Sequence, residues 1–138
     1  MLERYVPVPH TADAAFIAFG ATLEELFENA AFAICDMTFD LTAAAGRRSR
    51  PVVAQGDTIE DLLVAWLGEV LVESEVQGLA FSRFGVDRLE EGGVQGWAAG
   101  DPFDEIPLIG APVKAVTHHE LAIVKIPGGW WARVVLDV

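Results

Sequence analysis

Residues 22–39 read TLEELFENAAFAICDMTF, and the apolar side chains in this stretch recur at intervals of three and four positions. They are Leu23, Leu26, Phe27, Ala30, Ala31 and Ile34. This spacing places them on one face of an α-helix, so we expect an amphipathic helix here. Thr22, followed three residues later by Glu25, fits a capping box, in which the hydroxyl and the carboxylate bind free backbone N–H groups at the helix start.

A second stretch, GDTIEDLLVAWLGEVLVESEV at 56–76, has the same periodicity. Its apolar stripe consists of Ile59, Leu62, Leu63, Trp66, Leu67, Val70 and Leu71. We therefore expect a second amphipathic helix, with Asp57 and Glu60 forming its N-terminal cap. A tryptophan within such a stripe is typical of a core rather than of a binding platform.

Strand patterns lie outside the two helices. Residues 3–8 predict a short edge strand, because Pro7 has no N–H to donate to a neighbouring strand. Residues 14–20, AAFIAFG, predict a strand that is apolar on both faces. Between the helices we expect an exposed loop at 42–50, TAAAGRRSR, which leads into a short strand, RPVVAQG.

The chain after the second helix predicts at least four more strands. Gly92 and Gly93 form a turn between two of them, and the PGG at 127–129 joins two others as a hairpin. Because two apolar helices need a sheet face to cover, the fold class we expect is α+β.

The length of the chain indicates how many domains it forms, and its charge limits the kinds of partner it can bind. A chain of 138 residues is expected to form one domain, 1–138. Nine basic against 21 acidic residues give a net charge of −12, which disfavours nucleic-acid binding by the chain alone. An acidic surface suits a cation or a basic protein partner, although solubility alone also explains it.

The expected cellular compartment is inferred from the lack of a membrane-spanning segment and of a signal peptide in the sequence. The longest apolar runs are interrupted by charges well before the roughly 18 residues that a membrane span needs. The N-terminus has no signal-peptide pattern. We therefore expect a cytoplasmic protein without a membrane partner.

No familiar catalytic motif is present, whether a phosphate-binding loop, CxxC, GxSxG or HExxH. Cys35 has apolar neighbours, so we expect a small buried side chain.

His118 and His119 are adjacent on a predicted strand and point to opposite faces, so they are not expected to share one metal ion. We expect one ring to be packed and the other to be solvated.

Carboxylates at the two chain ends are better candidates for a site. Asp13 lies in HTAD, at a strand boundary, and Asp137 ends the final apolar strand. If the first and last strands are neighbours, Asp13, Asp137 and the Val138 carboxylate converge. Three oxygen donors suit Ca²⁺ or Mg²⁺ better than zinc. The alternative is that Asp13 caps a turn and the C-terminus is frayed.

Several motifs, in this order, resemble those of the archease family. They are HTAD (10–13), TLEELFENAAFAICDMT (22–38), DLLVAWLGEVL (61–71), GLAFSRF (78–84), GDPFDEIPLIGAPVKAVTHHEL (100–121) and GWWARVVLDV (129–138). Together they cover nearly the whole chain. HTAD, KAVTHH and the final LDV are the most specific, although an isoleucine is more usual than Val138.

The resemblance implies a single archease domain with mostly antiparallel sheet layers and two helices. It also implies a function, as a non-enzymatic activator of an RtcB-type RNA ligase in tRNA splicing, which promotes guanylylation and repeated turnover of the ligase. A divalent cation, calcium or otherwise Mg²⁺ or Mn²⁺, would be bound by Asp13, Asp137 and Val138. His10 and Lys114 match family positions near that site, where they would contact the partner or the ligands.

Two other functions are compatible with the sequence. A metal-dependent hydrolase could use Asp13, Asp137 and His10, although no general base with a clear partner is present. A general chaperone-like binding module is suggested by the 52% hydrophobic content and by the adjacent Trp130 and Trp131, which we expect to be exposed.

Overall fold

The computed structural model describes residues 3–9 and 14–138 and confirms the α+β class. It has seven strands and two α-helices in the described residues. In chain order they are β1 (Tyr5–Val8), β2 (Ala14–Gly20), α1 (Leu23–Asp36), β3 (Arg48–Gln55), α2 (Ile59–Gln77), β4 (Leu79–Glu90), β5 (Gly93–Pro102), a 3₁₀ turn (Phe103–Glu105), β6 (Ala115–Ile126) and β7 (Gly129–Asp137).

Helix α1 begins at the predicted cap. The Thr22 hydroxyl accepts a hydrogen bond from the N–H of Glu25 at 3.1 Å. The Glu25 carboxylate in turn accepts from the N–H of Ala21 at 2.9 Å, one residue earlier than in a standard capping box. Two free N–H groups at the helix entrance are thereby satisfied.

Helix α2 begins one residue later than predicted. Thr58 is the cap, with an extended backbone, and its hydroxyl accepts from the N–H of Asp61 at 3.0 Å. The prediction of Asp57 with Glu60 is therefore wrong. Capping oxygens bind an N–H two or three residues further on, and only Thr58 stands directly before the first helical residue, Ile59.

The strands form two antiparallel sheets. The four-stranded sheet has the order β1-β2-β7-β6, and the three-stranded sheet has the order β3-β5-β4. β1 lies at an edge, as Pro7 predicts. The last strand, β7, pairs with β2 and β6 and not with the first strand, β1.

Both helices pack against both sheets. α1 contacts β2 and β4, and α2 contacts β3 and β6. The core between them includes Phe16, Phe27, Trp66 and Phe81, all fully buried. The Trp66 indole N–H donates to the carbonyl of Phe27 at 3.0 Å. The polar atom of the indole is therefore satisfied, and the ring packs in the core as predicted.

Two expectations about exposed segments are corrected. Trp130 and Trp131 are half-buried rather than exposed, because both lie on β7 between two neighbouring strands. The expected loop at 42–50 is shorter, since β3 already begins at Arg48. Within the described part of the chain, neither helix has the length and apolar content to cross a bilayer.

Candidate functional site

The start of β2, the start of β6 and the end of β7 meet at one end of the four-stranded sheet. In the strand register Leu136 stands between Ala14 on β2 and Val116 on β6. We call this end of the sheet the tip; its described residues are Ala14, 114–116 and 136–138. Because β7 is central, Leu136 is flanked by two other strands, and the next residue, Asp137, pairs with Ala115 on β6.

The tip holds the end of the chain in place. The carbonyl of Asp137 accepts a hydrogen bond from the N–H of Lys114 at 2.8 Å, while the Asp137 side chain is exposed. The side chain of Val138 is half-buried and packs against the hydrophobic core. The C-terminal residue is therefore anchored, in contrast to the frayed end that was the alternative to a metal site.

Three of the five predicted site residues lie within the described chain: Lys114, Asp137 and Val138. The structure brings all three to the tip. His10 and Asp13 lie outside the described residues, and Asp13 precedes Ala14 in the sequence. Across residues 3–9 and 14–138, no three His, Cys, Asp or Glu side chains are close enough together to hold a metal ion.

The two adjacent histidines lie in an irregular part of β6. Thr117 pairs with Val135 and Ala122 with Arg133, so segment 118–121 stands opposite Val134 alone. The positive φ of Glu120, 52°, belongs to this bulge.

The histidine rings contact different carboxylates. The Nε2 of His118 is 3.1 Å from Oδ1 of Asp61, in the first turn of α2, and the Nε2 of His119 is 3.5 Å from Oε1 of Glu120. The two side chains are 61% and 66% exposed. The expectation that one ring is packed is therefore wrong, because the bulge releases both from the regular alternation of faces.

Sequence reasoning missed a cavity of about 570 Å³ beside the tip. It lies between the C-terminal ends of α1 and α2, the 3₁₀ turn and segment 107–114. Its apolar walls include Ile34, Phe39, Leu71, Phe103, Leu108 and Val113. We call it the apolar groove. The available signal was IPLIGAPV at 106–113, a run with too few polar side chains for an ordinary exposed loop.

The comparison with known families gives the assignment. Residues 5–138 match the model of the Archease protein family. The chain belongs to the archease family. The resemblance noted in the sequence is thereby confirmed over nearly its full length.

Curated archease relatives are similar along their whole length. Protein archease of Methanosarcina mazei is 38% identical over 141 residues, which cover 99% of this chain and 97% of that protein. Protein archease of Pyrococcus abyssi is 34% identical over 144 residues, with 99% and 100% coverage.

Two solved structures have the same fold. The solution structure of Protein 1598 of Methanobacterium thermoautotrophicum superposes with a TM-score of 0.80 and is 32% identical, covering 98% of this chain and 99% of that one. A Thermotoga maritima crystal structure, described as an archease and possible chaperone, has a TM-score of 0.65 over 96% of each chain. At 22% identity this second likeness supports the fold alone.

The archease motifs that are most specific in sequence are also related in space. KAVTHH contains the start of β6, and LDV contains the end of β7. HTAD directly precedes β2, whose first residue pairs with Leu136. Motifs more than a hundred residues apart thus belong to segments that begin or end at the tip.

Proposed function

We propose that this chain is a protein activator of an RtcB-type RNA ligase in tRNA splicing and RNA repair, and that it acts in the cytoplasm through a divalent cation held at the tip. The observation that carries the proposal is the pairing of Ala14 and Val116 with Leu136. This register puts Leu136, which directly precedes the exposed Asp137, beside the first residue of the strand that follows HTAD.

The proposed ligands are the side chains of Asp13 and Asp137 and the carboxylate of Val138. All three supply oxygen, which suits Ca²⁺, or otherwise Mg²⁺ or Mn²⁺, better than softer metals. Two features favour a cation here: Asp137 is exposed, and the Val138 side chain next to it packs against the core. When bound, the cation would supply positive charge at an otherwise acidic surface.

Lys114 and His10 are the proposed contacts of the partner or of the ligands. Lys114 is exposed, its N–H binds the carbonyl of Asp137 at the tip, and the residue also lines the apolar groove. A cationic side chain beside the carboxylates can bind a phosphate or an acidic group of the partner.

The acidic surface supports separate roles for this chain and the ligase in binding RNA. A net charge of −12 repels RNA, so the RNA substrate would be held by the ligase and not by this chain. We expect no measurable binding of tRNA to the isolated chain at physiological salt. Tight binding that weakens steeply with added salt would contradict this part of the proposal.

The test is ligase guanylylation and multiple-turnover ligation with and without the purified chain. We expect wild type to accelerate both, and Asp13→Asn, Asp137→Asn and a C-terminally amidated chain to lose most of the acceleration. Asn keeps the shape while it removes the charge, and amidation removes charge with little added bulk. Glu91→Gln, in the turn between β4 and β5 on the other sheet, is the matched control.

The outcomes separate the candidate functions. If the amidated chain stimulates as well as the free acid, the Val138 carboxylate has no role. Metal-dependent hydrolysis by the chain alone, abolished by Asp13→Asn, would favour the hydrolase function instead.

A second candidate function is a general chaperone-like module, which is favoured by the exposed apolar groove. It predicts that the chain suppresses aggregation of unrelated proteins. The activator function predicts that it does not.

A further inference from the structure

The walls of the apolar groove offer little for a polar ligand. The Thr38 hydroxyl donates to the carbonyl of Ile34 at 3.1 Å, and the Ser74 hydroxyl donates to the carbonyl of Leu79 at 2.6 Å. Burial raises the pKa of the Cys35 thiol to about 12, so this group is neutral. Because these polar atoms are already satisfied or uncharged, the groove is suited to apolar side chains.

The entrance of the groove is exposed and apolar. Leu108 and Phe103, which both line the groove, are 62% and 42% exposed, and Ile109 next to Leu108 in the chain is 64% exposed. A continuous apolar surface of this kind in a soluble chain is typical of an interaction site. Its backbone is well supported, since the N–H groups of Ile109 and Gly110 donate to the carbonyl of Thr38 at 2.9 and 3.2 Å.

The groove has one acidic and one basic side chain in its lining, and further carboxylates lie next to it. Exposed Glu75 lines it from the last turns of α2, opposite Lys114 in segment 107–114. Asp104 and Glu105 follow Phe103 in the 3₁₀ turn, where Glu105 is 3.8 Å from Arg47. The whole chain carries a net charge of −12. An apolar segment flanked by lysine and arginine therefore complements this surface better than a neutral or acidic one.

The groove is continuous with the tip. Segment 107–114 forms one wall and ends at Lys114, whose N–H binds the carbonyl of Asp137. A protein that covers the tip therefore extends over the groove without crossing another element.

We propose that the apolar groove is a second docking site, which binds a short segment of the partner protein in which apolar side chains alternate with basic ones. An RNA-binding partner carries basic surface for its own substrate, and this supplies the matching charge. That this partner is the ligase rests on the proposed function. The tip would act on the ligase, and the groove would set the affinity.

The direct test uses the full chain and three fluorescent peptides: one of leucine and lysine in equal numbers, one with glutamate for lysine, and one with serine for leucine. We expect the leucine–lysine peptide to bind at least tenfold more tightly than the other two. Leu108→Ser should weaken it roughly tenfold through lost apolar contact. Val53→Ser is the matched control, since Val53 is 54% exposed on β3 of the other sheet.

A charge variant keeps the test decisive if Leu108→Ser fails to fold. Glu75→Lys should weaken the leucine–lysine peptide, because it places a positive charge beside the groove. Glu69→Lys, at an exposed position of the same helix, should not. Equal affinity for the lysine and glutamate peptides, or equal effects of Glu75→Lys and Glu69→Lys, would overturn the proposal. So would an affinity that Leu108→Ser leaves unchanged in a folded chain.

The ligase assay separates this proposal from the proposed function. Leu108→Ser should raise the chain concentration that gives half-maximal guanylylation about tenfold and leave the maximal rate unchanged. If wild type does not stimulate the ligase, the proposed function fails, whatever the peptides do. If wild type stimulates the ligase and Leu108→Ser reaches half-maximal guanylylation at the same chain concentration as wild type, only the groove proposal fails.

Discussion

Asp101 is a buried carboxylate that holds the segment leading into β3. It accepts hydrogen bonds from the N–H groups of Ala45 and Gly46, both at 2.8 Å, and of Arg47 at 3.4 Å. Burial by itself raises the pKa of Asp101, but these N–H groups and the Arg47 side chain outweigh it and hold the pKa below its ordinary value. The positive φ of Gly46, 68°, aims its N–H at the carboxylate.

Asp101→Asn should destabilise the fold by about 2 kcal/mol at pH 7. The substitution replaces a charged acceptor by an amide, whose NH₂ cannot accept a hydrogen bond from the backbone N–H groups. The pKa of Asp101 is lower in the folded chain than in the unfolded chain. The carboxylate therefore stabilises the fold fully at pH values above the unfolded-state pKa, and this stabilisation is lost as the pH falls through the folded-state pKa. Urea unfolding of both proteins from pH 7 to pH 3 measures it. We expect the difference to shrink below about pH 4. A difference that is constant across this range would contradict the assignment.

At the scale of elements, α2 has one glycine in its interior and another as its C-terminal cap. Gly68 lies within the helix, and a Cβ added there meets no atom within 4 Å. Gly78 is the C-terminal cap, with φ 65° in the left-handed region. A Cβ there would lie 3.9 Å from the Phe103 ring, so the backbone conformation rather than space requires glycine.

The two alanine variants should therefore move stability in opposite directions. Gly68→Ala should add about 1 kcal/mol to the free energy of unfolding, from helix propensity. Gly78→Ala should subtract about 1 kcal/mol, from the left-handed backbone that L side chains disfavour. Urea midpoints for the two variants and wild type give both values. Shifts of the same sign would mean that this account of the helix is wrong.

At the scale of the whole molecule, the tip connects the two ends of the chain through β2 and β7. A cation bound there would crosslink the chain ends in the folded state only. Ligands of this kind stabilise by mass action, by about 2.7 kcal/mol at a hundredfold excess over Kd.

Calcium should therefore raise the Tm of the metal-stripped chain, on the order of 8 °C at that excess, and EDTA should reverse the rise. Asp13→Asn should abolish the shift, whereas Glu91→Gln should retain it. Differential scanning calorimetry measures all three. Shifts of equal size in both variants would place the cation elsewhere on the acidic surface.

Local sequence determined the elements of this protein. The spacing of apolar residues predicts α1 and α2, and the glycines at 92–93 and the PGG at 127–129 predict the turns. Helices and hairpins can be predicted in this way because they depend on residues close together in the chain. Even the error at the start of α2 is local, since Asp57 and Thr58 are both good caps and only one precedes the first helical turn.

Tertiary structure alone decided which segments meet. β7 could have paired with the first strand, and only the observed order β1-β2-β7-β6 places Leu136 between Ala14 and Val116. The apolar groove likewise depends on how α1, α2 and segment 107–114 pack together. Such pairings join residues far apart in sequence and are selected by burial over the whole molecule, which no local pattern records.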